Sequence, residues 1–277
     1  MIDRWWQALR RRREDAAALR RPIPDDLWRR TLVRYPFLRR RDPADAAELR
    51  RLTSLFLDRK EFSAAGGLRL TDAIVVAIAA QAVLPVLRLG IDRYDGFVGI
   101  VVHPDQVVAR REVTDEHGLV HEYDEVLAGE AMEGGPVMLS WRDVRAAGTA
   151  GLPGTGAGAY NVVIHEFAHV LDLADGVSDG VPLLPPDLPR AAWLAVLEAE
   201  YEAFARRVES AAEDDPATAL DAYAANGPDE FFAVASESFF VDPRALRDEH
   251  APLYAMLARW YRQDPANDTA PRRGAPD

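Results

Sequence analysis

Residues 161–172 read NVVIHEFAHVLD, with His165, Glu166 and His169 in the spacing H-E-x-x-H. On a helix, positions i and i+4 share one face, so the two imidazoles project together with the carboxylate beside them. Two imidazoles so placed can grip one zinc ion, while the glutamate serves as general base toward a water. Six His and 18 Glu in 277 residues predict about 0.01 copies of the motif by chance. The flanking Val162, Val163, Ile164, Phe167, Ala168, Val170 and Leu171 are apolar, so the helix is expected to be buried and the site dry. Gly176 stands where a C-terminal cap belongs.

Outward from the motif, the period of the hydrophobic pattern changes. Phe97–Val102 and Val137–Trp141 read as strands, Val107–Val113 and Leu119–Tyr123 pair about a turn at 115–118, and glycines at 148–158 mark a loop. The Val137–Trp141 strand is expected to offer an edge on which an extended peptide pairs. Thr71–Leu87, Ala191–Ala211, Pro228–Phe240 and Pro252–Tyr261 read as helices. The sum is an α+β domain, mainly helical with a small sheet. We expect an Arg-rich helical segment over 1–63 packed on a main domain over 64–263, and a polar, Pro-rich tail over 264–277 without fixed structure.

Composition narrows the chemistry. The chain has no cysteine, which excludes disulfides, cysteine nucleophiles and thiolate zinc sites, so a metal must be held by His, Asp or Glu. At 48% hydrophobic residues it can bury a substantial core and is neither disordered nor fibrous. No signal peptide is read at the N-terminus, and the longest apolar stretch, Ile74–Leu87, is interrupted by Gln81 and Pro85 and falls short of the roughly 20 residues that span a bilayer. A cytoplasmic protein without membrane partner is expected. The net charge of −12 is unevenly spread: residues 1–60 hold 17 Lys/Arg and 9 Asp/Glu. Because those arginines alternate with Trp5, Trp6, Leu27, Trp28 and Phe37, amphipathic helices facing an acidic partner within the same chain are expected, and no nucleic acid.

Catalytic zinc takes three protein ligands, so a third is needed. His117 and His121 are also four apart, but Asp115 and Gly118 place them in turn chemistry and no Glu follows the first; His103 and His250 are lone histidines with structural roles. Asp175 serves only if the helix breaks at 172. Glu230 and Glu237 are seven apart, on one face of a second helix, and spacing alone does not choose between them. Glu230, next to the Asn226-Gly227-Pro228 bend, can converge with Tyr223 on one ion. Glu237 suits a buried hydrogen-bonding role behind the site. Asp172, on the face of His165 and His169, is expected to touch the imidazoles.

Four segments, GEAMEGGPVMLSW (129–141), NVVIHEFAHVLDLADG (161–176), YAANGPDEFFAVASESFF (223–240) and PLYAMLARWYRQDP (252–265), together resemble the Mlc titration factor A family of bacterial zinc metallopeptidases, whose catalytic domain is similar to that of anthrax lethal factor. The resemblance implies a zincin-type metallopeptidase domain holding one Zn2+ per chain through His165, His169 and Glu230, with Glu166 as base and Tyr223 assisting the transition state. It further implies hydrolysis of peptide bonds, aminopeptidase activity, a peptide or protein substrate and, in some members, binding of the repressor Mlc. The competing expectation is a regulatory binding protein that sequesters such a transcriptional repressor and whose hydrolysis is incidental.

Overall fold

In the computed structural model, residues 11–114, 120–132, 134–148, 159–212 and 218–267 are described. The N-terminal arm comprises α1 (11–18), α2 (Asp25–Arg34) and α3 (Pro43–Arg59). Asp42 caps α3 by accepting the Asp45 N–H, and α3 buries Leu49, Leu52, Leu55 and Phe56. The arm's arginines engage acidic and carbonyl oxygens of their own chain. Arg20 meets Asp58 at 2.5 Å, Arg51 meets Glu48 at 2.7 Å, Arg34 donates to the Arg145 carbonyl and Arg40 to that of Val241.

After the arm come β1 (Glu61–Ala64) and α4 (Asp72–Ala82), the latter capped by Thr71 and buried along most of its length. Next are β2 (Gly99–His103), the hairpin β3 (Val107–Thr114) and β4 (Val120–Leu127), β5 (Gly129–Ala131), β6 (Val137–Ser140) and α5 (Trp141–Ala146). Strand order in the main sheet is β1-β2-β6-β5; the first three run parallel and β5 is antiparallel to β6, with Gly129 opposite Leu139. β3 and β4 form a separate two-stranded sheet in which His121 stands opposite Val113; His117 lies outside the described residues. Val137–Ser140 is therefore an interior strand, and the sheet edge expected there belongs to β5. β1 and β5 escape the sequence pattern because four residues EFSA and three residues GEA are too short for alternation to register. The expected boundary at 63/64 falls inside β1.

α6 (Val162–Asp172) lies against β5 and α4, α7 (Arg190–Ser210) follows, and α8 (Pro228–Val241) runs through the core, buried from Phe231 to Val241. A helix buried on every side along most of its length is an interior element. α9 (Pro243–Glu249) and α10 (Ala251–Tyr261) close the fold, and the turn after α10 is held by the Tyr254 hydroxyl donating to Asp264. His250, between α9 and α10, pairs with Glu200 of α7 at 2.8 Å. No helix among the described residues is long and apolar enough to cross a membrane. The protein is an α+β zincin-like domain.

Candidate metal centre

The rotation of α6 decides what faces the site. Asn161 starts the helix, its side chain accepting the Ile164 N–H at 3.0 Å. Phe167, two positions from His165 and so on the opposite side of the helix, is wholly buried among Phe56, Tyr94 and Phe97, with ring centroids 5.0–5.8 Å away. Burying such a ring stabilises by about 1.5–3 kcal/mol, and it locks His165 and His169 toward α8. The helix tightens into a 3-10 turn over Leu173–Asp175 and ends at Gly176, whose φ of 89° is left-handed.

Facing it, α8 opens with Pro228 at its first position and carries Glu230 in its first turn. The three donor atoms converge: His165 Nε2 and His169 Nε2 are 3.2 Å apart, and Glu230 Oε2 lies 3.1 Å from the first and 3.4 Å from the second. A tetrahedral zinc with ligands at 2.0–2.1 Å would separate its donors by about 3.3 Å, so the cluster already has the spacing such an ion imposes. Glu230 Oε2 is buried without a hydrogen-bond partner. An orphaned carboxylate oxygen aimed between two imidazoles fits a cation, and among the described residues this is the group of His, Asp and Glu that can hold a metal.

Around the donors the charge balance points the same way. Glu166 is 5% exposed; burial lifts its carboxyl to about 7, with His165 and His169 pulling the other way and Glu230 and Glu237 adding to the rise. Burial opposes the charged form of Glu230, yet the imidazoles of His165 and His169, 3.1 and 3.4 Å from its Oε2, hold its carboxyl well below the usual carboxylate range. Burial likewise opposes the charged form of His165, but its bonds to Glu230 and Glu237 raise it well above the ordinary imidazole value. Three carboxylates packed around two imidazoles thus call for positive charge, from protons or from a divalent ion.

Glu237, one face-repeat along α8, stands behind His165: its Oε1 bonds His165 Nδ1 at 2.8 Å and its Oε2 accepts the Asn161 N–H. Asn161 Nδ2 in turn donates to Gln81 Oε1 of α4 at 2.9 Å. This buried chain from α4 through the cap of α6 to α8 fixes which ring nitrogen of His165 faces the donors. Asp175 is exposed and accepts the Val177 N–H at 3.2 Å, away from the cluster. The hydrogen bonds of Asp172 go to Gly180 N–H and the Ser178 hydroxyl instead of the imidazoles, and burial lifts its carboxyl to about 6 against the pull of Gly180.

A 210 Å³ cavity opens over the donors, lined by Gly129–Ala131 of β5, Tyr223 and Asp229; among the described residues no Arg or Lys lines it. Tyr223 sits in a 3-10 turn (Ala222–Asn226) that Asp221 caps and Tyr201 braces through the Ala225 carbonyl. Its hydroxyl donates to Glu230 Oε1 at 3.3 Å. Gly129 touches Glu166 so closely that a Cβ there would stand 2.6 Å from Glu166 Cγ. Neither this contact nor the Gln81–Asn161 link has a sequence signal, because both depend on tertiary approach. A larger groove of 630 Å³ between residues 20–24, β1 and α4 shares no described residue with the site and, among the described residues, holds no histidine.

Residues 6–262 match the glucose-regulated metallo-peptidase M90 family. The chain is 40% identical over 199 residues to Mlc titration factor A of Edwardsiella ictaluri, covering 72% of each chain. It is 35% identical over 239 residues to the protein of that name from Klebsiella pneumoniae, covering 86% of each. The counterpart from Serratia proteamaculans is 38% identical over 228 residues, 80% of this chain and 83% of its own. With a family match over nearly its whole length, the chain belongs to the M90 metallopeptidase family.

Proposed function

We propose that this protein is a zinc-dependent peptidase in which His165, His169 and Glu230 hold the ion. The observation that carries the reading is the mutual spacing of 3.1–3.4 Å among the three donor atoms, with Glu230 Oε2 otherwise unpartnered. Zinc bound there supplies Lewis acidity, lowering the pKa of a water toward about 7 and polarising the substrate carbonyl. The protein's own residues do the rest. Glu166, whose carboxyl is lifted to about 7 by burial, takes the proton from the attacking water and hands it to the leaving amine. Tyr223, turned toward the cavity beside Glu230, donates its hydroxyl to the developing oxyanion. β5 presents its outer edge beside Glu166, where an extended peptide adds as a further strand and takes its register from main-chain bonds.

The test is metal analysis joined to a screen of amino-acid and peptide chromogenic substrates, with Glu166→Gln as the control that keeps the ligands. One zinc per chain, removed by chelator together with hydrolysis, is the expected result. A Glu166→Gln variant that turns over substrate like the parent would remove the base from the mechanism.

The name shared by the relatives, Mlc titration factor A, favours a second reading, a cytoplasmic binding protein that sequesters a repressor. Glu166→Gln separates the two, since a binding role survives that change and a hydrolytic role does not. An aminopeptidase preference shows itself if a free substrate amine is required for cleavage.

A further inference from the structure

A short clasp joins the end of α6 to the start of α8. Asp172, the last residue of α6, is fully buried. Its Oδ2 accepts the Gly180 N–H at 2.8 Å and lies 3.5 Å from the Ser178 hydroxyl oxygen, while Oδ1 has no partner. The far side of this segment touches α8: Ser178 Oγ reaches Asp229 Oδ2 at 3.2 Å, and Gly180 lies so close to Pro228 that a Cβ there would be 3.0 Å from its carbonyl carbon. The Gly180 carbonyl is taken by the buried indole N–H of Trp193 at 2.9 Å. Gly180 has a φ of 75°, a left-handed conformation natural to glycine, which lets its N–H face Asp172 and its carbonyl face Trp193.

The start of α8 needs such an outside hold. Its N-cap is Gly227, which makes no side-chain cap bond, and uncapped helix starts leave their first N–H groups without partners. Yet this first turn carries Glu230. An anion buried at a helix end with one oxygen unpartnered is a poor choice for stability alone, so a role other than packing is indicated for Asp172.

We propose that Asp172 is a positioning residue: through residues 178–180 it sets the first turn of α8, and with it the Glu230 carboxylate, against the two imidazoles. The proposal rests on the reading of Glu230 as a metal ligand. It differs from a contact between Asp172 and the histidines, because the hydrogen bonds of Asp172 run to residues 178–180, the segment that lies against the start of α8.

The experiment measures zinc affinity by chelator competition, and the visible spectrum of the cobalt-substituted protein, on the full chain. Asp172→Ala should weaken zinc by about 10- to 100-fold, as loss of a supporting partner does, and alter the cobalt bands. Ser178→Ala, an exposed position, should weaken it by a smaller factor in the same direction. Asp172→Asn keeps an acceptor for the Gly180 N–H and should bind nearly as the parent does. Leu253→Ala, in the core of α10, should lower Tm with zinc affinity and spectrum unchanged, which separates positioning from general loosening. Asp172→Ala and Ser178→Ala with parental affinity and spectrum, beside a Glu230→Ala that loses the metal, would overturn the positioning role. A Glu230→Ala that keeps the metal would instead overturn the ligand reading on which it stands. If Asp172→Ala does not fold, Ser178→Ala decides by the same criterion.

Discussion

Replacing Gly129 by alanine tests the site from its least conspicuous member. The added Cβ would stand 2.6 Å from Cγ and 2.7 Å from Cδ of Glu166, against an ordinary carbon–carbon contact of about 3.6 Å. Either the carboxylate or the strand must therefore move by about 1 Å. Glu166 is 5% exposed and lines the cavity over the donors; among the described residues β5 is an edge strand paired with β6. A misplacement of about 1 Å at a catalytic group costs roughly 100-fold in rate, or about 2.7 kcal/mol of barrier. Displacement of the proposed base would appear in kcat, and displacement of the strand proposed to pair with substrate in KM. In both cases kcat/KM falls by about two orders of magnitude, while His165, His169 and Glu230 are untouched and zinc content stays at the parental value. Steady-state kinetics on a cleaved chromogenic peptide, paired with metal analysis, gives the answer. A Gly129→Ala protein with full zinc and parental kcat/KM would refute the close approach of β5 to the base as a requirement of catalysis.

Glu230→Ala should lose most zinc affinity, whereas Asp175→Ala should bind zinc as the parent does; chelator competition checks both. Glu237→Ala should lower stability and, through loss of its bond to His165 Nδ1, weaken zinc by about 10-fold or more, read in the same titration. Tyr223→Phe should retain zinc and lower kcat by about 10²-fold, measured at saturating substrate. Lys60 is buried beneath the Phe97 ring and donates to the Tyr94 and Phe97 carbonyls, and burial pushes its ammonium down to about 8. Between that value and the unfolded one near 10.4 the unfolded chain binds more protons, so folding stability gains about 3 kcal/mol as pH rises through the window. The unfolding free energy of the parent minus that of Lys60→Met should climb accordingly between pH 7.5 and 10.5; a flat difference would show that the fold does not disfavour the charge.

What could be read from the chain beforehand follows the range of the interactions. The motif helix was legible because its signal is local: period, cap and ligand spacing all sit within Asn161–Gly176. The long helices around Trp193 and Phe231 were legible for the same reason. Glu230 and Glu237 shared a face in the sequence reading, and only the packing of α8 on α6 set one at the donor cluster and the other behind His165. β5, with Gly and Glu in three residues, has no strand propensity of its own and exists because β6 offers it a partner. Asp172 shares the helical spacing of His165 and His169, which suggests a contact to the imidazoles, yet its hydrogen bonds are decided by a turn eight residues on, which periodicity does not see. α9, seven residues between Pro243 and Glu249, is shorter than a helical pattern needs to declare itself.

The chain has no cysteine, so no covalent bond ties one part of it to another. A metal held by His165, His169 and Glu230 would act as that tie, closing a loop of about 60 residues that contains the whole of α7. A permanent link across such a span removes about 4 kcal/mol of unfolded-chain entropy by polymer arithmetic, a large share of the 5–15 kcal/mol that keeps a domain folded. The ion would then be a staple as well as a reagent. Stripping it would leave the ends of α6 and α8 held only by side chains, and a protease added at that moment would find the segment between them easier to cut.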